Sequence, residues 1–391
     1  MRPRSGRNPG AEWSNIRLLP AIQGREATIR TMTVTTSDTP AAWTAKELDS
    51  DKRWLFTLDE RARCDLVAAL TRAIDRDKTL FDYRREDFDL GSAEPVLRAA
   101  FAEMQRGRGV ALVRGLPRVG LDEKDFEILT WGIGLHFGVG RPQGKQSHYI
   151  SAVRDAGNTY RTGTGRGYNT NAELDFHTDS TDVVVLSCYN KAASGGMSIT
   201  TSSVAAYHAM RREHPDLADH LLEPIHFSRQ GEQAPDEAPS YPHPLFDTVD
   251  GRLFSKWNRN RVTSAQKIEG VPQLTARQWQ ALEAFDALVR RADLAHSMWL
   301  QPGDLQIINS HVTLHSRTDF TDHEDPAQKR LLFRLWLAPA EGERLPESWR
   351  VLYKAVAPRT VRGGIIGLQH DAPRKAYEQR QAAALGMRLS D

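Results

Sequence analysis

Asp175-Phe176-His177-Thr178-Asp179, followed by the apolar run Val183-Val184-Val185-Leu186, is the stretch on which the reading of this chain turns. Alternate residues of an extended chain share a face, so His177 and Asp179 project to the same side. One neutral imidazole beside one carboxylate supplies two ligands of a divalent metal. A second histidine from elsewhere would complete a two-His-one-carboxylate triad and leave the opposite face of the metal open. Read alone, His-x-Asp is equally a surface hydrogen-bonded pair, so the motif needs support from elsewhere in the chain.

Two further stretches bear on it. Asn309-Ser310-His311-Val312-Thr313-Leu314-His315-Ser316-Arg317 offers two histidines. If one strand runs through both, His311 and His315 share a face, and periodicity does not choose between them. Arg330-Leu331-Leu332-Phe333-Arg334-Leu335-Trp336-Leu337 is a strand pattern with two arginines four apart. Period two sets Arg330, Leu332, Arg334 and Trp336 on one side and Leu331, Phe333, Leu335 and Leu337 on the other. Both sides are mainly apolar, which predicts a strand covered on both faces. A guanidinium facing such an interior is costly unless a carboxylate meets it. A ligand carboxylate gripped in bidentate fashion would serve. Asp319, Asp322, Glu324 and Asp325 in the preceding loop are the alternative partners.

The surrounding pattern predicts helices over 57–75, 94–106, 203–222 and 275–290, the first with Thr57 and Glu60 at capping-box spacing. It predicts strands at 109–115, 147–154, 183–189, 197–201, 298–301, 305–309 and 330–337, with Pro302-Gly303-Asp304 as a turn. Strands outnumber helices and do not alternate with them as βαβ units. The expected fold is therefore mainly β, a sandwich or barrel with helices packed on its outside. Long loops at 156–172 and 229–250 are expected to act as lids or binding loops, with Tyr168, Asn169, Arg229, His243, Trp257 and Arg259 as candidate pocket residues. Residues 1–45 read as a flexible lead-in, 46–365 as one domain (helical over 46–108, with its core at 109–340), and 366–391 as a C-terminal tail or helix.

Composition excludes several classes. The 391 residues carry 52 basic and 50 acidic side chains, a net charge of +2, which gives no basic surface for nucleic acid or an anionic membrane. No apolar run approaches the length of a bilayer span. Only Cys64 and Cys188 are present, too few for a disulfide framework or a cysteine zinc site, so a reducing cytoplasm is the expected compartment.

Taken together, Glu173 to Asp179, Gly195-Gly196-Met197-Ser198-Ile199-Thr200-Thr201-Ser202, Asn309 to His315 and Arg330 to Arg334 resemble the taurine dioxygenase and clavaminate synthase group of iron(II)/2-oxoglutarate oxygenases. The resemblance covers roughly residues 105 to 340. It implies a double-stranded β-helix (jelly roll) core with flanking helices. It also implies that His177, Asp179 and His315 hold iron(II), His315 being preferred over His311 because the family's Asn-x-x-Val-x-x-His pattern ends there. Arg330 then grips the far carboxylate of 2-oxoglutarate, Ser198 hydrogen-bonds this cosubstrate, and Arg334 holds an anionic group of the prime substrate. The implied reaction consumes dioxygen and converts 2-oxoglutarate to succinate and carbon dioxide while a small molecule is oxidised. Hydroxylation is the default outcome, with desaturation or cyclisation as variants. Asp179 argues against halogenation, since the family's halogenases lack that carboxylate. The segment between His315 and Arg330 is longer and more acidic than in the taurine enzyme, which leaves open which of Arg330 and Arg334 is the main cosubstrate anchor. Other readings are a cupin-like oxygenase that does without 2-oxoglutarate, a non-catalytic binder of small acids, and a zinc hydrolase.

Overall fold

The strand Leu331–Pro339 has all nine residues buried and sits inside the larger of two main sheets. Strand order in that sheet is Leu55–Thr57, Val110–Arg114, Leu305–Asn309, Val183–Asn190, Leu331–Pro339, Gly138–Arg141, and Ile150–Val153 pairs further along Leu331–Pro339. A second sheet of four strands runs Ala295–Met298, Ser198–Ser202, Thr313–Arg317, Leu174–His177. All pairings in these two sheets are antiparallel except that of Leu55–Thr57 with Val110–Arg114. This is the expected jelly-roll core with helices outside it. The computed structural model describes residues 39–157 and 169–390.

The alternation in Leu331–Pro339 sorts as its period requires. Leu331, Phe333, Leu335 and Leu337 join Val183, Val185, Leu305 and Ile307 in a core shared with the helices Glu60–Ala73, Ala93–Arg106 and Glu123–Leu135. Leu332 and Trp336 join Val110, Leu112, Val184, Cys188 and Ile308 on the inner side, together with Met298 of the smaller sheet. Burial on both faces explains why the strand reads as an almost unbroken apolar run.

Several boundaries differ from expectation for local reasons. The first long helix starts at Glu60, because Asp59 rather than Thr57 caps it by accepting from Ala62 N at 2.8 Å. The helix expected over 203–222 stops at Glu213, and Pro215 opens a separate short turn. The strand expected at 298–301 lies at Ala295–Met298. Glu123–Leu135 is a helix that amphipathic periodicity did not indicate. It is buried on nearly every side, and Gly132 and Gly134 let Phe88 and Leu335 pack against its backbone. Packing begins before residue 45: Ala41 and Trp43 are buried, and the Trp43 indole donates to Arg108 O at 2.7 Å. Residues 1–38 of the expected lead-in lie outside the described residues. The stretch 229–250 is not one loop, since it contains the strands Ser240–His243 and Phe246–Val249.

At the C-terminal end, the helix Ala372–Ala384 closes over one edge of the larger sheet. Glu378 there accepts from Arg141 Nη1 and from Tyr149 OH, each at 2.5 Å, and the Arg141 and Glu378 side chains are both under one-tenth exposed. Removing one partner of a buried pair strands the other charge, which typically costs about 3–5 kcal/mol. Glu378→Ala is therefore expected to lower unfolding stability by about that amount. Arg141→Met/Glu378→Leu should lose clearly less, and denaturant titration of the two variants checks the ordering.

Candidate active site

The end of Leu174–His177 and the middle of Thr313–Arg317 are cross-strand neighbours, with His177 opposite His315 in register. Their rings lie 4.3 Å apart between centroids. Asp179, two residues beyond His177, brings Oδ1 to 3.8 Å from His177 Nε2. Ligand atoms of His177, Asp179 and His315 all lie within 4.8 Å of one another, the spacing that a single metal ion spans. His177 Nδ1 is paired with Asp175 O at 2.8 Å, which fixes the ring and turns Nε2 toward the cluster.

The electrostatics suit a metal. Burial, reinforced by the neighbouring His177, pushes the His315 imidazole down to about 3. Burial likewise lowers His177, so both rings are neutral and able to ligate near neutral pH. Burial alone would raise the Asp179 carboxyl. Arg334, the two histidines and the Trp336 hydrogen bond outweigh that and hold it below the usual carboxylate range. Asp179 Oδ2 accepts from Trp336 Nε1 at 2.9 Å and from Arg334 Nη1 at 3.4 Å. Behind the chain, Lys256 Nζ donates to Asp179 O at 3.0 Å and to Ser180 Oγ at 3.3 Å, and its burial pulls the ammonium down to about 7.

The two competing histidines part company. Sequence periodicity set them on one face of a continuous strand, but the chain turns at Ser310–Val312 and passes from the larger sheet to the smaller. His311 sits in that turn. Its Nε2 lies 3.2 Å from Asp182 Oδ1, and Arg362 donates to the same carboxylate through Nη2 at 2.6 Å. His311 thus belongs to a separate buried ion network, while His315 joins His177 and Asp179.

All three residues line a cavity between the sheets. Arg330, Leu332, Arg334 and Trp336 line it from the larger sheet, and Ser198, His315 and Arg317 from the smaller. The Arg330 guanidinium makes no hydrogen bond or ion pair among the described residues, and its Nη1 is buried without a partner. It lies 5.0 Å from the Phe320 ring, and burial lowers it to about 10, so it stays charged. Of the loop acids, Asp322 accepts only from the Arg330 backbone N, at 2.8 Å. Ser198 Oγ donates to Gln306 Oε1 at 3.1 Å and also faces the cavity. Arg334 has a protein carboxylate, and it is Asp179 rather than Asp319 or Asp325. Its Nε also donates to Gln143 Oε1 at 2.9 Å.

Among the candidate pocket residues, Tyr168 lies outside the described residues. Arg229, His243, Trp257 and Arg259 do not line this cavity, and neither does Asn169. Arg229 pairs with Glu237, His243 packs on Trp349, Trp257 on Phe285, and Arg259 on Trp279. Gln230, Asn258, Asn260 and Arg261 line the cavity instead. These, with Lys256, Gln143 and the Trp336 donor, are what sequence reasoning missed. Trp336 alone carried a signal, its shared face with Arg334.

Residues 70–336 match the family described as "Taurine catabolism dioxygenase TauD, TfdA family", well over half of the chain, and the protein belongs to that family. It is an oxidoreductase, an iron(II)- and 2-oxoglutarate-dependent dioxygenase. FR-33289 synthase of Streptomyces rubellomurinus is 29% identical over 312 residues, spanning 79% of this chain and 92% of that protein. The taurine hydroxylase-like protein SAT17 of Stachybotrys chartarum is 25% identical over 309 residues, 75% of this chain and 77% of that protein. In fold the chain is similar to an asparagine oxygenase solved with Fe(II), 3-hydroxyasparagine and succinate, at TM-score 0.55 and 20% identity, covering 73% of this chain and 93% of that one. Among the described residues, no helix is long and apolar enough to cross a membrane.

The geometry separates the histidines by experiment. His315→Ala is expected to weaken iron(II) binding by at least about tenfold, whereas His311→Ala keeps it near wild type and instead lowers the melting temperature. Equilibrium metal titration of both folded variants reads the difference, and an inverted result would move the ligand to His311.

Proposed function

We propose that His177, Asp179 and His315 hold the iron(II), and that Arg330 binds the distal carboxylate of 2-oxoglutarate while a small organic molecule is hydroxylated in the same cavity. The observation that carries this reading is Arg330, 5% exposed on the cavity wall, with no carboxylate to meet its guanidinium among the described residues. A buried guanidinium without a counter-ion is costly, and a dicarboxylate ligand supplies what the protein withholds. Ser198 lies on the facing sheet and is proposed to hydrogen-bond the same cosubstrate.

Iron bound at the triad would supply the oxidising power, by activating dioxygen as 2-oxoglutarate is converted to succinate and carbon dioxide. The chain's own residues hold geometry and exclude water. Leu186, Leu300, Leu332 and Val153 make the wall apolar, and the two histidines stay neutral donors. Arg334 is proposed to serve twice: it holds Asp179, and as part of the cavity wall it meets an acidic group on the prime substrate.

A cupin-like oxygenase that does without 2-oxoglutarate would have no use for Arg330. Losing a hydrogen bond to a charged group costs about 1.5–3 kcal/mol. Arg330→Ala is therefore expected to raise the 2-oxoglutarate concentration for half-maximal succinate formation by about tenfold or more. An unchanged requirement would move the anchor to another cation. Oxygen uptake without any succinate, in the wild type, would favour the cupin-like reading.

A further inference from the structure

We propose that Trp336 is a positioning residue that keeps Asp179 a one-oxygen ligand of the metal; this rests on His177, Asp179 and His315 being the iron ligands. A carboxylate can bind a metal through one oxygen or both, and the choice decides how many positions stay open. Here the two oxygens face different ways. Oδ1 is turned to His177 Nε2 at 3.8 Å, and Oδ2 accepts the Trp336 indole N–H at 2.9 Å. That donor is fixed in direction, because an indole nitrogen only donates and the ring is 2% exposed.

The arrangement is braced from three sides. Arg334 Cζ lies 5.0 Å from the Trp336 ring, and Arg334 Nη1 approaches the same oxygen at 3.4 Å. Gln143 accepts from Arg334 Nε at 2.9 Å and returns its amide N–H to Arg334 O at 2.8 Å, locking the guanidinium to its own strand. Lys256 on Asp179 O stops the carboxylate from following by backbone movement. Of the two donors to Oδ2, the indole is the closer. Rotating Asp179 so that both oxygens face the metal would break that bond and leave a buried N–H unpaired, which the fold resists. The triad thus presents three donor atoms instead of four, and the positions that a chelating cosubstrate and dioxygen require stay open.

Trp336→Phe removes the donor and keeps an aromatic ring for Arg334. Trp336→Met, a flexible apolar filler without the donor, is measured beside it in case the Phe variant packs poorly. Each purified apoprotein is loaded with iron(II) without oxygen. Metal affinity is read by titration, 2-oxoglutarate affinity by the visible charge-transfer absorption of the chelate, and folding by melting temperature. The expected result is a split: iron(II) affinity within about threefold of wild type or tighter, and 2-oxoglutarate affinity down by about tenfold or more. Unchanged affinities for both in a folded variant would overturn the proposal. So would a parallel loss of both that tracks the melting temperature, which is what a purely structural tryptophan gives. Failure of the wild type itself to bind iron(II) would instead strike the reading of the triad.

Discussion

A carboxylate shut between two sheets has to be compensated where it stands, and Asp179 is that carboxylate. Donors meet it from two directions: Arg334 and Trp336 from one strand, and Lys256, on its backbone oxygen, from behind. Three residues later Asp182 is buried too and is met by Arg362 and His311. The two acids bracket the segment that carries the chain from Leu174–His177 in the smaller sheet to Val183–Asn190 in the larger. A crossing between sheets has few ladder hydrogen bonds of its own, and here buried ion pairs stand in for them. The geometry of the His177–Asp179–His315 cluster and the joining of the two sheets therefore depend on the same few charges.

Much of this was legible in the sequence, and the reason is period. Arg330, Leu332, Arg334 and Trp336 share a face by alternation, and the structure sets all four on the cavity wall. The apolar residues between them fill the opposite core. His-x-Asp was legible for the same reason, since two residues of extended chain turn both side chains one way. What the pattern could not supply was where a strand stops. His311 and His315 have equal parity, and only the turn at Ser310–Val312 assigns one to an ion network and the other to the cluster with His177 and Asp179.

The rest was hidden for physical reasons that can be named. The helix Glu123–Leu135 has no polar face, so it leaves no stripe to detect. Lys256 and Gln143 act at short range on residues far away in the chain, and nothing in their own surroundings marks them. The lining residues Gln230, Asn258, Asn260 and Arg261 are ordinary polar side chains in sequence and acquire meaning only from where the backbone delivers them.

Those four residues mark off one part of the cavity lining from the strands that supply the rest. The strand-borne part carries side chains that also join the sheets, so a change there disturbs stability together with chemistry. The other part comes from the segment around Gln230 and the short helix Arg259–Ala265, held to each other by Arg261 Nη2 on Glu232 Oε2 at 3.1 Å and Nη1 on Ser228 O at 3.0 Å. Selectivity and reactivity are in this sense written on adjoining parts of the chain that share supports. A lineage, or an engineer, that redrafts 258–261 to admit a different molecule also touches what supports the His–Asp–His cluster, because Asn258 is bridged to His177 along the backbone and the Arg261 charge acts on Lys256.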